Sequence, residues 1–427
     1  MLSLKLSAKV VMNSYKNVYI LGIGGTGMSS IAKYMSQAGF NVGGYDQRKS
    51  YITNTLEQEN INIDFDLEDI TYDKDTLYIY STAFNLAKTN LLSNTESKNI
   101  LSRPEFLQEL TKDYYVIGVT GTHGKTSTTA LLAHIFHYNK RNVSYIFGGV
   151  TSFNGIGGHY GADNKVLILE ADEAFNTFNS LHLDDLLVTN IDEDHLDYYL
   201  NFENLINAFK NVIENTSNNV VLNLDNLELK KLKISKKVYS YSSSDKSEII
   251  IKNSEIISHD GTDFLIETSM IGDHFKSNIA GAICIAYLNG ISIEDSLLAI
   301  KHFPGVRRRA EFLGSTSGIS IYDDYGHHPT EIDATITALK SYVKGKLYVV
   351  FQPHRYTRTQ EHLERFRMSL LKADEAIVID IYPSGELPIP GVSSKNLEDK
   401  NIKYIKSMRA VPSYLRGKVN SGDVILT

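Results

Sequence analysis

The sequence is poor in cysteine, in long apolar runs and in excess positive charge. Its 427 residues include one cysteine, Cys284, which excludes an intrachain disulfide and fits a reducing compartment. No stretch approaches the roughly 18 apolar residues of a membrane-spanning helix. Lys5 and Lys9 interrupt the N-terminal apolar positions, unlike a signal peptide. The net charge of −7 argues against a surface that coats nucleic acid or membranes. We therefore predict a cytoplasmic protein with no nucleic-acid partner and no membrane insertion.

The length and the pattern of apolar segments predict several α/β domains. A chain of 427 residues exceeds what one hydrophobic core usually organises. Apolar runs such as NVYILGIGG, KVLILEADE and EAIVIDIYPSG alternate with helical patterns, which is typical of parallel sheets covered by helices on both faces. We predict three domains, roughly at residues 1–110, 111–301 and 302–427, and expect residues 240–270 to form short, exposed strands.

A first glycine-rich turn follows the predicted strand NVYIL. Gly22, Gly24 and Gly27 fit the pattern G-x-G-x-x-G, and Asp46 follows about 20 residues later at the end of the next apolar run. The pattern is typical of a dinucleotide site, but helix N-terminal amides bind any phosphate, so the pyrophosphate of a UDP-sugar fits as well. A tight turn without a ligand is the alternative. The residues after the loop predict an amphipathic helix with one apolar face, ended by Gly39.

A second glycine-rich turn, GTHGKT, lies between the apolar run YYVIGVT and a helical pattern. It departs from the strict phosphate-loop pattern, because Val119 stands where the first glycine is expected. The amides of residues 121–126 can still point at phosphates, Lys125 can reach the β- and γ-phosphate oxygens, and Thr126 can bind Mg²⁺. We predict a nucleoside triphosphate site here; a strand–turn–helix that binds no phosphate is the alternative.

Acidic residues follow two later apolar runs. They are Glu170, Asp172 and Glu173 after the first run, and Asp192, Asp194, Asp197 with His195 after the second. Each acid alone could be a helix cap or a solvated charge. We expect the two runs to be adjacent parallel strands, so that both polar ends meet beside the phosphate loop. Oxygen ligands are what Mg²⁺ prefers, and the pair of ends therefore favours a metal site.

Six motifs occur in an order that resembles the Mur ligase family: GVTGTHGKTSTT, EADE, TNIDEDHLD, GVRRRAE, DDYGHHPTEI and FQPHRYTRT. The first loop, GIGGTGMSSIA, resembles the loop that this family uses for the UDP end of its substrate rather than for NAD. The resemblance extends from about residue 17 to the end of the chain. It implies a Rossmann-like N-terminal domain for the UDP-substrate, a central P-loop-type ATP-binding domain with a parallel sheet, and a Rossmann-like C-terminal α/β domain for the amino acid.

The resemblance also implies a reaction, in peptidoglycan precursor synthesis. ATP would phosphorylate the lactyl carboxylate of UDP-N-acetylmuramate, and the amine of L-alanine would displace phosphate from the acyl phosphate. ATP, UDP-N-acetylmuramate and L-alanine are the implied partners, with Mg²⁺ or Mn²⁺ as the cofactor. A monomer or weak dimer is expected.

Candidate residues follow from the resemblance for each ligand. Those for the UDP-substrate are Gly22, Gly24, Gly25, Thr26, Gly27, Asp46, Ser81 and Thr82. Those for ATP are Gly121, Thr122, His123, Gly124, Lys125, Thr126, Ser127, His274, Asn278, Arg309 and Asp324. Those for the amino acid and the muramoyl carboxylate are Tyr325, His327, His354, Arg355 and Arg358. The implied metal ligands are Thr126, Glu170 and His195, and the implied catalytic residues are Lys125, His195, Arg309 and Arg355.

Three alternatives stay open. An oxidoreductase could use the first loop for NAD, although this leaves the second loop and the acidic runs without a role. Within the family, the alternative is the ligase that recycles a murein tripeptide onto the same UDP-sugar. A non-catalytic nucleotide- or UDP-sugar-binding relative is the third, because the family normally continues past GDVILT through a Gly-Ala-Gly segment, which suggests a truncated chain.

Lys210 raises a separate question. It lies fifteen residues after His195, where several sister ligases of the family carry a carbamylated lysine that helps to hold Mg²⁺. Here it stands beside the apolar face of a predicted helix, so its amine could turn inward or stay in water. We favour a surface lysine whose stem lies along the helix.

Overall fold

The computed structural model describes residues 14–67, 70–89, 91, 98–244, 246–253 and 255–427. The chain forms two compact units, one of Met1–Thr268 with Lys276–Pro304 and the other of Ser269–Phe275 with Gly305–Thr427. In these described ranges the first unit holds two sheets and the second unit holds one. Among the described helices, none has the length and apolar character that a bilayer crossing requires.

The first sheet has five parallel strands in the order β3-β2-β1-β4-β5. The strands are β1 (Asn17–Leu21), β2 (Asn41–Tyr45), β3 (Asn62–Asp64), β4 (Thr76–Tyr80) and β5 (Ile100–Ser102). The helices are α1 (Thr26–Gln37), α2 (Tyr51–Gln58) and α3 (Arg103–Thr111), with a 3₁₀ turn at Leu86–Lys88. The strand order reverses between β1 and β4, and the first glycine loop follows β1. Open α/β sheets bind ligands at such a switch point.

The second sheet has ten strands in the order β15-β14-β13-β12-β11-β10-β6-β9-β7-β8. They are β6 (Tyr115–Thr120), β7 (Ser144–Thr151), β8 (Gly155–His159), β9 (Val166–Glu170), β10 (Asp185–Val188), β11 (Val220–Asn223), β12 (Tyr239–Ser242), β13 (Ile249–Asn253), β14 (Ile256–His259) and β15 (Thr262–Leu265). The helices are α4 (Lys125–Tyr138), α5 (Leu196–Tyr199), α6 (Phe202–Asn215), α7 (Leu227–Lys231), α8 (Asp273–Leu288) and α9 (Ile293–Lys301), with a 3₁₀ segment at Ala174–Ser180. The pairs β13–β14, β14–β15 and β7–β8 are antiparallel. Short strands do form within residues 240–270, as predicted, and β15 is largely exposed, but Ile257 and Ser258 of β14 are buried.

The two acidic strand ends are arranged differently from the prediction. The acids follow β9 and β10, but these strands are not adjacent, because β6 lies between them. Val119 of β6 is in register with Glu170, and Thr120 is in register with Val188 of β10. Strand order depends on contacts far apart in the sequence, which local patterns do not encode. Both acidic ends therefore flank the phosphate loop, one on each side of it.

Helix α1 is buried on more than the predicted face. The predicted apolar residues are fully or almost fully buried: Met28, Ile31, Ala32 and Met35. Ser30 and Lys33 are buried as well, because α1 also packs against β7 and β8 of the second sheet. The Ser30 hydroxyl donates to the Phe147 carbonyl at 2.6 Å. Gly39, with φ +93°, follows the helix end as expected. The expectation of a single buried face was wrong, since α1 joins the two sheets of the first unit.

Gly158 on β8 provides a test of this packing. A Cβ at this position would lie 2.0 Å from the carbonyl oxygen of Ser30, and a backbone oxygen in α1 cannot move without the helix. We expect Gly158→Ala to destabilise the protein by about 1–3 kcal/mol, measured by urea denaturation. Gly43→Ala is the matched strand control, since its Cβ would meet its nearest atom at 3.5 Å. Equal stability of the two variants would contradict the prediction.

The second unit contains a six-stranded sheet in the order β16-β17-β21-β18-β19-β20. Its strands are β16 (Glu311–Thr316), β17 (Ile319–Asp323), β18 (Leu347–Phe351), β19 (Glu375–Val378), β20 (Ile402–Tyr404) and β21 (Val424–Leu426). Its helices are α10 (Pro329–Tyr342), α11 (Tyr356–Glu361), α12 (Leu363–Leu370) and α13 (Val411–Leu415). Only β16 pairs antiparallel among these described strands. The predicted succession of three α/β sheets is confirmed, and the boundaries near residues 110 and 302 stay predictions.

Candidate active site

The first glycine loop is tied to the ends of neighbouring strands. The Gly22 amide donates to the Tyr45 carbonyl at 2.8 Å, and the Gly24 amide donates to the Asp46 carboxylate at 2.8 Å. Ser81, directly after β4, packs against Gly22: its Cβ lies 3.2 Å from where a Cβ on Gly22 would be. The structure thus brings residues 22–27, Asp46 and Ser81 together, while Thr82 beside them is exposed.

The start of α1 is open to an anion. Gly25 precedes the helix, and no side chain caps it. The amides of Thr26 and Gly27 lie in the first turn, which has no intrahelical acceptor for them. Free amides and the positive end of the helix dipole favour a phosphate at this place. The arrangement suits the predicted UDP-binding role of this loop.

The second loop forms a phosphate cradle at the start of α4. Gly121 has φ +136°, and a Cβ there would lie 2.1 Å from the Thr189 hydroxyl, so only glycine fits. The Lys125 amine folds back to donate to the carbonyls of Gly121 at 2.8 Å and Thr122 at 3.2 Å. Gly124 precedes α4 at φ +83° without a side-chain cap. This is the geometry in which loop amides and one lysine surround phosphates.

Side chains from neighbouring segments hold the cradle in place. The His123 amide donates to the Asn190 side chain at 2.8 Å, and the His123 ring lies 3.0 Å from the Asp192 carboxylate. Asn278 packs on Gly124, 2.9 Å from where a Cβ would be. Ser127 is buried in α4. These predicted ATP-binding residues of the first unit therefore lie around one loop.

Lys125 has a buried partner that the motif did not assign to it. Its amine lies 2.6 Å from a carboxylate oxygen of Glu173, a side chain that is 1% exposed. Burial opposes the charge of Lys125, but Glu173 and Asp172 raise the pKa of the lysine. Burial raises the pKa of Glu173 to about 8, although Lys125 acts in the opposite direction. Glu173 therefore holds the lysine beside the cradle at the C-terminal end of β9.

The proposed metal ligands are partly assembled. The Thr126 hydroxyl donates to Glu170 at 2.7 Å, and the other oxygen of Glu170 accepts from the Gly148 amide at 2.6 Å. A hydroxyl and a carboxylate beside a phosphate loop are hard oxygen donors, so these residues fit Mg²⁺. His195 lies 3.7 Å from Glu173 and 3.9 Å from Asp194. His195 has a left-handed backbone conformation at φ +56°, and it shares the carboxylate of Glu173 with Lys125 of the phosphate loop.

The second unit gathers its candidate residues near the end of β17. Asp324 accepts from the amides of Ala310 and Gly326, both at 2.7 Å. Burial raises the pKa of Asp324 to about 6, against the effect of Arg309. Arg309 lies 3.7 Å from Glu331 and 5.6 Å from the centre of the Tyr325 ring.

A cavity of about 470 Å³ lies beside them, lined in part by Asp324, Tyr325, His327, His354 and Tyr382. His354 stacks on Tyr382, with ring centres 5.5 Å apart. Burial, followed by the charges of His327 and Arg358, lowers the pKa of His354 to about 4. The His354 ring is therefore neutral near pH 7. The cavity, with these polar side chains in its lining, can receive a small polar ligand.

Arg355 and Arg358 differ in their surroundings. Arg355 has φ +73°, and its Nε donates to Glu386 at 2.6 Å. Burial would raise the pKa of Glu386, but hydrogen bonds from Thr357 and Arg355 hold it at about 2. Arg358 is buried in α11. Both arginines follow β18, but Arg355 already has a carboxylate partner.

His274 belongs to the second unit, whereas Asn278 belongs to the first. The His274 ring packs against Phe275, with ring centres 4.4 Å apart. Burial lowers the pKa of His274 to about 4, so the ring is neutral near pH 7. Its predicted contact with ATP stays a prediction.

Lys210 lies on α6, half-buried beside the apolar face. Its charge contributes to lowering the pKa of Glu214, after the hydrogen bonds from Ser235. The charge of its amine therefore acts on a residue one turn further along the helix. We expect Lys210→Ala to keep turnover within about twofold of the wild type, as surface substitutions usually do. Lost activity that short carboxylates restore would contradict this and would support a carbamate.

Comparison with known proteins gives consistent matches along the chain. Residues 17–115 match the "Mur ligase family, catalytic domain", residues 119–286 the "Mur ligase middle domain", and residues 308–427 the "Mur ligase, glutamate ligase domain". The UDP-N-acetylmuramate–L-alanine ligase of Geotalea daltonii is 34% identical over 436 residues, which cover 96% of this chain and 94% of that protein.

Solved structures show the same fold. The UDP-N-acetylmuramate-alanine ligase of Thermotoga maritima aligns with a TM-score of 0.80 at 23% identity, covering 96% of this chain and 94% of that one. A murein peptide ligase of Psychrobacter arcticus aligns with a TM-score of 0.69 at 21% identity, covering 96% and 95%. The predicted three-domain α/β fold is thereby confirmed.

Proposed function

Because this chain belongs to the Mur ligase family, we propose that it joins L-alanine to UDP-N-acetylmuramate at the expense of ATP. The observation that carries the proposal is the closeness of the two glycine loops. The Gly148 amide donates to Glu170, and a Cβ on Gly148 would lie 3.4 Å from the Thr26 hydroxyl. A sugar whose pyrophosphate lies at the first loop can therefore extend its lactyl carboxylate toward a triphosphate at the second.

The residues at this junction suit phosphoryl transfer. A lactyl carboxylate oxygen attacks the γ-phosphorus of ATP, the bond to the β-phosphate oxygen breaks, and ADP leaves. The Lys125 amine and the amides of residues 121–126 bind the oxygens on which charge develops, and such positioning provides most of the catalysis in this class of reaction. Bound by Thr126 and Glu170, Mg²⁺ would offset the phosphate charge.

The second step forms the amide bond. The neutral amine of L-alanine attacks the carbonyl carbon of the acyl phosphate, the bond from that carbon to the phosphate oxygen breaks, phosphate leaves, and the proton of the amine passes to solvent. We assign the binding of L-alanine to the second unit, where Tyr325, His327 and His354 border the cavity and Arg358 follows in α11. A guanidinium can donate two hydrogen bonds to the carboxylate of an amino acid, and the cavity has room for a small amino acid. We assign the nucleotide contacts of that unit to Arg309 and Asp324.

The proposed substrates also indicate the cellular compartment of the enzyme. Nucleotide substrates and a thiol that is buried and unpaired fit a cytoplasmic enzyme that acts without a nucleic-acid partner. We propose a monomer or weak dimer.

The test supplies ATP, Mg²⁺ and UDP-N-acetylmuramate and compares phosphate release with L-alanine, L-serine, glycine and the murein tripeptide. We expect the fastest release with L-alanine. Fastest release with the tripeptide would assign the chain to the recycling reaction, and binding of both nucleotides without release for any acceptor would indicate a non-catalytic relative. A thermal shift with NADH in place of UDP-N-acetylmuramate would support the oxidoreductase alternative.

A further inference from the structure

Arg103 begins α3, directly after the last strand of the first sheet. The preceding residue, Ser102, caps the helix: its hydroxyl accepts from the Glu105 amide, and its own amide donates to the Glu105 carboxylate at 2.7 Å. The acid nearest in sequence is therefore engaged with the cap. This fixed helix start sets the position from which the Arg103 side chain extends.

The Arg103 guanidinium lies against the first glycine loop. A Cβ on Gly27 would be 3.0 Å from Nε of Arg103 and 3.2 Å from its Cζ and Nη2. The side chain thus packs on the first turn of α1, beside the free amides of Thr26 and Gly27. Two kinds of hydrogen-bond donor, together with the positive end of the helix dipole, converge at this place.

Nε of Arg103 is also buried without an acceptor. It has no hydrogen-bond partner in the part of the chain that the structure describes, and the ion pairs found there do not include Arg103. A guanidinium carries five N–H donors and no acceptor, and a buried donor that stays unpaired is costly. The natural explanation is an acceptor supplied by a ligand.

We propose that Arg103 binds the pyrophosphate of the UDP-linked substrate, together with the amides of Thr26 and Gly27. The proposal rests on the proposed function, because it takes the first loop as the site of the UDP group. It assigns a binding role to a residue that the loop motif does not include. A lactyl carboxylate could also meet a guanidinium, but the contact with Gly27 places Arg103 at the helix start, where the phosphates bind.

The test measures binding by calorimetry for the wild type, Arg103→Met and Arg103→Lys. The probes are uridine, UDP, UDP-N-acetylglucosamine, UDP-N-acetylmuramate and ATP. For Arg103→Met we expect affinity for UDP and for both UDP-sugars to fall about tenfold or more, while ATP and uridine bind as before. Arg103→Lys keeps the charge but not the planar fork, and we expect it to recover part of the loss.

Lys112→Ala is the matched control, since Lys112 is a partly exposed cation at the opposite end of α3, paired with Glu109. Unchanged UDP affinity in both Arg103 variants would overturn the inference. So would a loss confined to UDP-N-acetylmuramate, because this would assign Arg103 to the lactyl carboxylate. If Arg103→Met does not fold, the UDP affinity of Arg103→Lys decides. Failure of the wild type to bind UDP-N-acetylmuramate would overturn the proposed function itself.

Discussion

Lys125→Ala should lower the rate of phosphate release by about 10²–10³-fold or more, the effect of removing one donor that stabilises charge in a transition state. UDP-N-acetylmuramate binding should stay close to that of the wild type, because its proposed loop belongs to another sheet. Phosphate release and calorimetry measure the two effects. A variant that lost the UDP-sugar and kept ATP would show that the roles of the two loops are reversed.

The buried partner of Lys125 allows a structural effect to be separated from a catalytic one. Lys125→Ala leaves Glu173 without its cation, and the pKa of Glu173, already raised to about 8, rises further. A carboxyl group whose folded pKa exceeds its unfolded value stabilises the fold at low pH and loses that contribution as the pH rises through the folded pKa. The variant should therefore be least stable, relative to the wild type, in alkaline solution.

A second substitution completes this control. Glu173→Gln in the Lys125→Ala background removes the unpaired charge, so the double variant should regain stability in alkaline solution without regaining phosphate release. Return of activity in the double variant would show that Lys125 acts only by neutralising Glu173. Lys231→Ala, at an exposed lysine paired with Glu228 at 2.8 Å, is the control for losing a lysine elsewhere.

Glu170→Gln should cause the second large loss. The amide oxygen can still accept from the Thr126 hydroxyl or the Gly148 amide, so the fold should be preserved. The negative charge that suits Mg²⁺ is gone, and we expect phosphate release to fall about 10²-fold at a fixed Mg²⁺ concentration, with partial recovery at much higher Mg²⁺. The measurement is the Mg²⁺ dependence of phosphate release.

Asp163→Asn is the matched control, because Asp163 is an exposed acid before the opposite end of β9. It should show the wild-type dependence on Mg²⁺. An unchanged Mg²⁺ dependence in Glu170→Gln would remove Glu170 from the metal site. A variant that no longer folded would show that its bonds to Thr126 and Gly148 are chiefly structural.

Local sequence patterns predicted the parts of the site that are built from contiguous residues. The two glycine loops follow strands and precede helices, because a buried strand, a tight turn and a helix start can all be read from neighbouring residues. The same holds for Glu170 and His195 at strand ends. The predictions failed where the answer depended on distant parts of the chain, as in the position of β6 between β9 and β10.

Three side-chain contacts illustrate the same limit. The sequence predicts that Glu173 lies near the phosphate loop, but not its ion pair with Lys125, which is 48 residues away. Arg103 packs against Gly27, but its neighbours in sequence are a proline and a capping glutamate, which predict only an ordinary helix start. Glu386, the partner of Arg355, lies 31 residues away from it. Such contacts are set by packing of whole elements, and no spacing rule predicts them.

The packing of α1 on β7 and β8 has a consequence for substrate choice. The first loop precedes α1, and Gly148 of β7 lies against both Thr26 and Glu170, so the separation between the two loops is set by the packing of α1 on β7. The distance between the loops therefore selects substrates by length. A ligand can react when the distance from its pyrophosphate to its carboxylate matches the separation of the two loops. Discrimination by length is then a property of the scaffold, independent of which side chains recognise the uracil or the incoming amino acid.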